Sequence, residues 1–492
     1  MSVTISENSE TFMLDECMKQ FKLYLDYSKL THNKYQYDGV KWCVRNEINP
    51  NPLFGIRGGF IADEMGLGKT IMMIGTMISN IVPKTLIVLP VVLLDQWYNQ
   101  ILKTTGHKCV IYHGKNKKIY NFKALQSARI VITTYNAVSI FKKTDISRNV
   151  LHEICWNRIV FDEAHHLRNK NTGCFLGCTS LKGDIRWLIS GTPVQNKKRD
   201  FYNLCEALNI PFCFYSKSEN MSILANNFII KRTKQQVGIV LPKLVVKNEN
   251  VEWENENEKQ LAKEIHKSLS LYNRVSGNHY EKGAYTLQTM MNAKQSCIHP
   301  LMLNGKITNM IKHGIISDNL KQHEEAINYS SKLNAVIKNI LLNRDNGNGK
   351  IVFCHYHQEI DEIERRLSLA GITNVYKYDG RIDRAKKTAI LNNSDSNSVL
   401  IIQIQTGCEG LNLQENYSEI YFTSPHWNPS IEDQAIARCH RIGQEKKVVV
   451  HKFEMQSFSF TEDDDSITID DYINNVQDYK RTIINNLYNM AT

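Results

Sequence analysis

The chain has 492 residues, 42% of them hydrophobic and 22% charged, enough for two or three packed domains, too many for one core, and too apolar for a disordered chain. The formal net charge of +10, from 60 Lys and Arg against 50 Asp and Glu, is a mild surplus, compatible with a polyanionic partner and equally with an ordinary solvated surface. Twelve cysteines contain no CxxC pair, Cys174 and Cys178 being the closest two; this excludes a zinc ribbon and suits a reducing, intracellular compartment. The polar opening MSVTISENSE is no secretory signal, and the longest apolar run, Thr85 to Leu94, is far short of the ~20 residues a membrane helix needs.

In chain order, residues 1–30 read as an N-terminal extension. A first block, 31–244, carries short apolar runs at Thr85–Pro90, Arg129–Thr133, Arg158–Phe161 and Arg186–Ser190, the pattern of buried parallel strands. Residues 245–330 turn polar and rich in Asn, Lys and Glu, and read as a helical insertion or connector. A second block, 331–460, repeats the strand pattern at Lys350–Cys354, Val399–Ile402 and Glu419–Phe422, with a helix from Gln358 to Ala370. The tail, 461–492, opens on the acidic run Glu462 to Asp465 and carries no evident chemistry. Both blocks are therefore expected to be α/β with parallel sheets.

Two segments of the first block point to nucleotide chemistry. In Ile61-Ala-Asp-Glu-Met-Gly-Leu-Gly-Lys-Thr70, the residues Asp63, Glu64, Met65, Gly66, Leu67 and Gly68 form a candidate phosphate loop. Its glycines let successive N–H groups turn toward phosphate oxygens. Lys69 can reach the β- and γ-phosphates, and the Thr70 hydroxyl can ligate Mg²⁺. Asp63 stands where the generic GxxxxGK[ST] pattern has its first glycine. In Val160-Phe-Asp-Glu-Ala-His165, about 90 residues on, an apolar strand delivers two carboxylates. Asp162 can hold the Mg²⁺ shell and Glu163 can polarise an attacking water.

At this point the chain resembles the superfamily-two helicases, and within them the SWI/SNF-type ATPases, from about Lys34 to Phe453. Tyr35-Gln36, with Gly39 and Trp42, resembles the adenine-reading Q motif. Asp63 to Thr70 is the family's own form of motif I, which accounts for the missing glycine. Leu86–Trp97, Ile132–Tyr135, Trp156–Asn169 and Ser190–Asn196 resemble motif Ia, the next DNA-facing motif, and motifs II and III. Gly407–Leu413 resembles motif V; His426–Pro429 with Gln434–Gln444 resembles motif VI.

The resemblance implies two tandem RecA-like lobes, ATP with Mg²⁺, and tracking along double-stranded DNA without strand separation. It makes Gln36, Gly410 and Gln434 nucleotide-binding residues. It makes Arg438 and Arg441, three apart on a predicted helix, the arginine fingers aimed at the γ-phosphate, an effect worth ~10³–10⁵ in rate in other NTPases. The basic segments Lys115–Lys118 and Lys231–Lys234 are candidate phosphate contacts. Two positions depart from the family pattern: Cys408 replaces a glycine and Ser424 an aspartate. Compact size and an Asn/Lys/Ile-rich composition are similar to small viral members, such as the baculovirus global transactivator group. This implies a nuclear role on chromatin or the transcription machinery. A strand-separating helicase and an ATP-gated regulatory scaffold remain the alternatives, and the residues do not set the oligomeric state.

Overall fold

The computed structural model describes residues 2–141, 149–191, 198–269, 284–407, 410–458 and 467–489. The chain divides into two compact units, Met1–Val240 with Thr482–Thr492, and Leu241–Arg481.

The first unit is a seven-stranded sheet: β1 (Arg57–Ile61), β2 (Thr85–Leu89), β3 (Val110–Tyr112), β4 (Ile130–Thr134), β5 (Cys155–Asp162), β6 (Lys182–Ile189) and β7 (Ile229–Ile230). Their order in the sheet is β3-β4-β2-β5-β6-β1-β7, and every pair is parallel. β2 and β4 are buried along their whole length, as β-branched runs covered on both faces should be. β1 has no counterpart in the expected strands, because its sequence RGGFI carries a Gly pair that normally marks a turn. The glycine is required by proximity: a Cβ on Gly58 (φ 105°) would meet the Arg186 carbonyl oxygen of β6 at 2.0 Å.

Two apolar layers cover this sheet. One includes the N-terminal helix Ser2–Ser28, whose Met18, Phe21, Tyr24 and Leu25 join Met72, Met73 and Ile74 of the helix Lys69–Ser79. Beneath them lies a buried ion pair. Arg158 binds the Glu47 carboxylate through Nε (2.6 Å) and Nη2, and Trp187 Nε1 donates to the same carboxylate at 2.8 Å. Both charges are fully desolvated, so the pair holds only because each polar atom has a partner.

The second unit is a six-stranded parallel sheet, β10-β11-β9-β12-β13-β8: β8 (Leu244–Val251), β9 (Gly349–Cys354), β10 (Val375–Tyr378), β11 (Val399–Gln403), β12 (Tyr417–Phe422) and β13 (Val448–Met455). A helical connector was expected from residue 245; the chain runs as strand there instead. β8 pairs with β13 from Leu244↔Val448 to Val251↔Met455. Its Lys247-Asn-Glu-Asn250 stretch hid it, because an edge strand keeps a solvated face and polar composition. The helices that follow, Glu256–Lys267 and Ala284–Ile298, share one apolar cluster with Leu333, Ile363 and Tyr421. So does the start of the C-terminal helix Ile469–Asn489, through Ile469 and Ile473. The two parallel sheets with flanking helices are the tandem RecA-like architecture expected from the sequence.

Candidate active site

The loop after β1 is held from below by β7 and the residues behind it. Ala62 N–H donates to Ile230 O (2.8 Å) and Glu64 N–H to Arg232 O (2.9 Å). Asp63 is fully buried, and its carboxylate accepts Arg232 Nε at 3.0 Å and Nη2 on its other oxygen. Arg232 also donates to Tyr35 O and lies over the Tyr35 ring, 5.6 Å from its centroid. Lys234 is engaged in the same way: its N–H donates to Glu64 Oε2 (2.8 Å) and its ammonium sits 3.1 Å from Glu64 Oε1. The segment Lys231–Lys234 was a candidate DNA-phosphate contact, with a solvated loop as the alternative. Arg232 and Lys234 are instead internal struts of the loop. Three basic residues among four read as surface, and nothing local reveals that two carboxylates from a distant segment neutralise Arg232 and Lys234.

Above those struts the loop turns through left-handed Gly66 (φ 90°) and Gly68 (φ 76°). A Cβ on Gly68 would meet Gln36 Nε2 at 2.4 Å. Gln36 donates to Leu67 O (3.3 Å) and accepts from Asn33 Nδ2 (3.2 Å), which ties the Q-motif helix to the loop. Lys69 Nζ donates to Asp63 O (2.9 Å) and Glu64 O (3.4 Å), and Met65 and Thr70 are half-buried beside it. The helix Lys69–Ser79 starts here, and its first-turn N–H groups have no intrahelical acceptors.

β5 delivers the second half. Asp162 is buried; Trp97 Nε1 donates to its Oδ2 at 2.6 Å, the Glu163 N–H to its Oδ1 at 3.0 Å, and Tyr135 OH to its backbone oxygen at 2.7 Å. Burial, and then the Glu163 charge, push the Asp162 carboxyl above the usual carboxylate range, while the Lys69 ammonium opposes the shift. Glu163 stands at φ 50°, ψ 50°, a left-handed conformation unusual for a side chain of its size, and pairs with His165 at 3.2 Å. At the end of β6, Ser190 N–H donates to Ile61 O (3.1 Å), and a Cβ on Gly191 would lie 3.3 Å from Lys69 Nζ. The ends of β1, β5 and β6 therefore converge on Lys69. Thr192 to Asn196 of the motif III expectation lie outside the described residues.

This donor set fits a magnesium nucleotide. Two left-handed glycines and an ammonium suit phosphate oxygens, and Thr70 and Asp162 are hard oxygen donors that would leave much of a Mg²⁺ shell to phosphate and water. Among the described residues no cluster of three or more His, Cys, Asp or Glu could hold a metal ion by itself.

In the second unit, Gly410 adopts φ 77°, and Gln434 is buried within the helix Pro429–Ile436, which Asn428 caps by accepting from Ser430 N–H (3.1 Å). Cys408 lies outside the described residues. Arg438 and Arg441 were expected on a helix face; the helix stops before them. Arg438 N–H bonds three residues back to Ala435 O, and Arg441 N–H to Cys439 O, so the backbone has left the α-helical ladder. The turn still brings them to motif V: Leu413 N–H donates to Arg438 O (3.1 Å), and Arg441 Nη1 donates to Asn412 Oδ1. Arg438 Nε is buried without a hydrogen-bond partner among the described residues. Burial, and then the Arg438 charge, hold the Arg441 guanidinium below its usual pKa. Two half-buried guanidinium groups side by side are arranged for an anion.

A phosphate loop, a strand-end carboxylate pair and a paired-arginine turn on two parallel-sheet units define a helicase-like ATPase. The SNF2-related domain profile matches residues 35–302 and the helicase conserved C-terminal domain profile residues 331–443; the chain belongs to the SNF2-related family. It is 28% identical over 92% of its length to the probable global transactivator of Orgyia pseudotsugata multicapsid polyhedrosis virus, covering 91% of that protein. It is 25% identical over 94% of its length to an uncharacterized ATP-dependent helicase of Mycoplasma genitalium, but spans only 43% of that protein. A solved Sulfolobus solfataricus SWI2/SNF2 ATPase core in complex with dsDNA matches 93% of each chain at 23% identity and a TM-score of 0.40. No helix among the described residues is long and apolar enough to cross a membrane.

Proposed function

We propose that the chain hydrolyses ATP to move along double-stranded DNA and so displaces or remodels bound protein in the nucleus, on chromatin or the transcription machinery. The observation that carries the ATPase half is the convergence of Lys69, Asp162 and Glu163 at three strand ends. Gln36 orients the adenine, Gly66 to Thr70 hold the phosphates, and Glu163 takes the proton of the attacking water. Thr70 and Asp162 would hold Mg²⁺, which would neutralise charge on the phosphates. Arg438 and Arg441 balance the charge that develops on the transferred phosphoryl, with Gly410 and Gln434 shaping the same nucleotide-facing turn. Hydrolysis removes the anion that those arginines answer, which makes grip on DNA depend on nucleotide state.

The DNA half rests on family membership and on the exposed basic turn Gly114–Lys118. Contacts of that kind meet phosphate rather than bases, so binding is expected to be salt-sensitive and nearly sequence-blind. The test is ATP hydrolysis by the purified chain with duplex DNA, single-stranded DNA, RNA or no nucleic acid, using Glu163→Gln as the blank. Stimulation by duplex is the expected result. Stimulation only by single strands or RNA replaces the translocase with a strand-separating helicase. Hydrolysis no faster than the blank replaces it with an ATP-gated scaffold.

A further inference from the structure

The segment Ser424–Asp433 leads into the turn that carries Arg438 and Arg441, and the C-terminal helix grips it at four places. Ser424 Oγ donates to Asp470 Oδ1 at 3.0 Å. Gln477 Nε2 donates to His426 O (2.6 Å) and to Glu432 Oε1 (2.7 Å). Lys480 Nζ donates to Trp427 O at 2.6 Å. Arg481 binds the Asp433 carboxylate with two nitrogens, at 3.0 and 3.1 Å. Residues 470, 477, 480 and 481 fall on one helical face, so a single rigid element sets all four contacts.

The deepest of these contacts explains a departure from the family pattern. Ser424 occupies a position where the family carries an aspartate, yet a carboxylate is still there in space. It belongs to Asp470, which is fully buried, pairs with Lys332 and also accepts the Met455 N–H at 3.0 Å. The carboxylate beside Ser424 is supplied by the helix that straps the loop. The body of the unit holds the same loop from its other side: Lys294 Nζ donates to Pro425 O (2.7 Å), the His355 ring nitrogen lies 3.1 Å from Ser424 O, and Lys452 sits on Glu432 (2.5 Å), while His426 N–H donates to Glu432 Oε1 (2.7 Å) within the loop.

We infer that Asp470, Gln477, Lys480 and Arg481 are positioning residues for hydrolysis: the C-terminal helix fixes the loop and short helix from which Arg438 and Arg441 project. The inference rests on the reading of those arginines as the groups that answer the phosphoryl charge. A misplacement of about 1 Å in such a group costs up to roughly a hundredfold in rate, so losing the outer two contacts should be visible in kcat.

The experiment uses the full chain with duplex DNA, below the melting temperature, with active sites counted by stoichiometric binding of a fluorescent ATP analogue. Lys480→Met with Arg481→Met removes the outer contacts at positions that are not fully buried. The expected result is a kcat about tenfold lower, an unchanged KM for ATP, and an unchanged Tm. Lys480→Arg with Arg481→Lys, which keeps the donors, should restore kcat. For the buried contact, Asp470→Ser strands Lys332 and is expected to unfold the unit; adding Ser424→Asp returns the carboxylate to the loop and should recover both Tm and kcat. A wild-type kcat for Lys480→Met/Arg481→Met overturns the inference. So does a kcat loss that merely follows the loss of titratable sites or of Tm. Arg441→Ala, measured alongside, separates the two failures: if it is inactive, only the strap is wrong; if it turns over like wild type, the arginine reading beneath it is wrong as well.

Discussion

Arg232 grips the Asp63 carboxylate with two nitrogens across 169 residues of sequence. Asp63 takes the place of a phosphate-loop glycine, and the price of a buried anion there is met by one specific cation. Arg232→Met should therefore leave an uncompensated charge under the loop, destabilising the first unit by about 3 kcal/mol and weakening ATP binding together with it. Arg232→Lys keeps the charge without the two-point geometry and should fall between the two. Urea unfolding read by tryptophan fluorescence and nucleotide titration check both; wild-type values in Arg232→Met would remove the strut from the account.

Gly68→Ala should abolish nucleotide binding without unfolding the chain. The added Cβ meets Gln36 Nε2 at 2.4 Å in a backbone conformation, φ 76°, that alanine resists. Fluorescent-nucleotide binding should vanish while the circular-dichroism spectrum stays that of wild type. Retained binding would mean that Gln36 does not sit against the loop.

Glu163 is expected to be kept for chemistry at a cost in stability. It holds a left-handed backbone, and its charge presses on the buried Asp162. Glu163→Gly should lose turnover and gain up to about 1 kcal/mol in unfolding free energy, since glycine enters that conformation without a Cβ clash. A less stable, inactive variant would say that the His165 pairing outweighs the strain.

Acid should destabilise the second unit through its buried histidines, partly offset by Glu258, whose carboxyl is pushed up to about 6 by burial. His266, His299 and His426 are each pushed down to about 4, chiefly by burial. The ring of His266 accepts the Ile469 N–H (3.0 Å) and that of His426 the Asn428 N–H (3.0 Å), bonds that need a neutral nitrogen. Between the ordinary histidine value of about 6.5 and about 4, the unfolded chain holds protons that the folded chain refuses, so stability falls as pH falls, on the order of 1 kcal/mol per histidine per pH unit. Above about 6.5 these groups add no slope. Urea midpoints from pH 7.5 to 5 should show the loss, and His266→Gln, which can still accept, should flatten part of it. A flat profile would place the three rings in solvent.

Much of this was legible in the sequence. Thr85–Leu89, Ile130–Thr134 and Gly349–Cys354 declare themselves as buried strands by unbroken apolar runs, and DEMGLGKT and VFDEAH identify the nucleotide chemistry through spacing. What stayed hidden is whatever depends on a distant partner. RGGFI looks like a turn until Arg186 is seen pressing on Gly58. Arg232 and Lys234 look solvated until Asp63 and Glu64 are seen to pair with them. The helix predicted through Arg441 stops at Ile436 because the chain turns back to meet Leu413 and Asn412. Asp470 carries no local signal, because its meaning lies in the serine at position 424.

The sheet of the second unit opens with β8 and closes with β13 beside it, so that Glu249 meets His451 from 202 residues away. On a ribosome adding 5–20 residues each second, β8 would wait roughly 10–40 s for the strand it pairs with. Throughout that interval its backbone donors and acceptors face any other strand in reach. The polar Lys247-Asn-Glu-Asn250 stretch, which disguised β8 as a connector, is well suited to that delay, since a charged, weakly hydrophobic strand resists premature pairing. The nascent chain's vulnerability and the camouflage of its strand have the same origin.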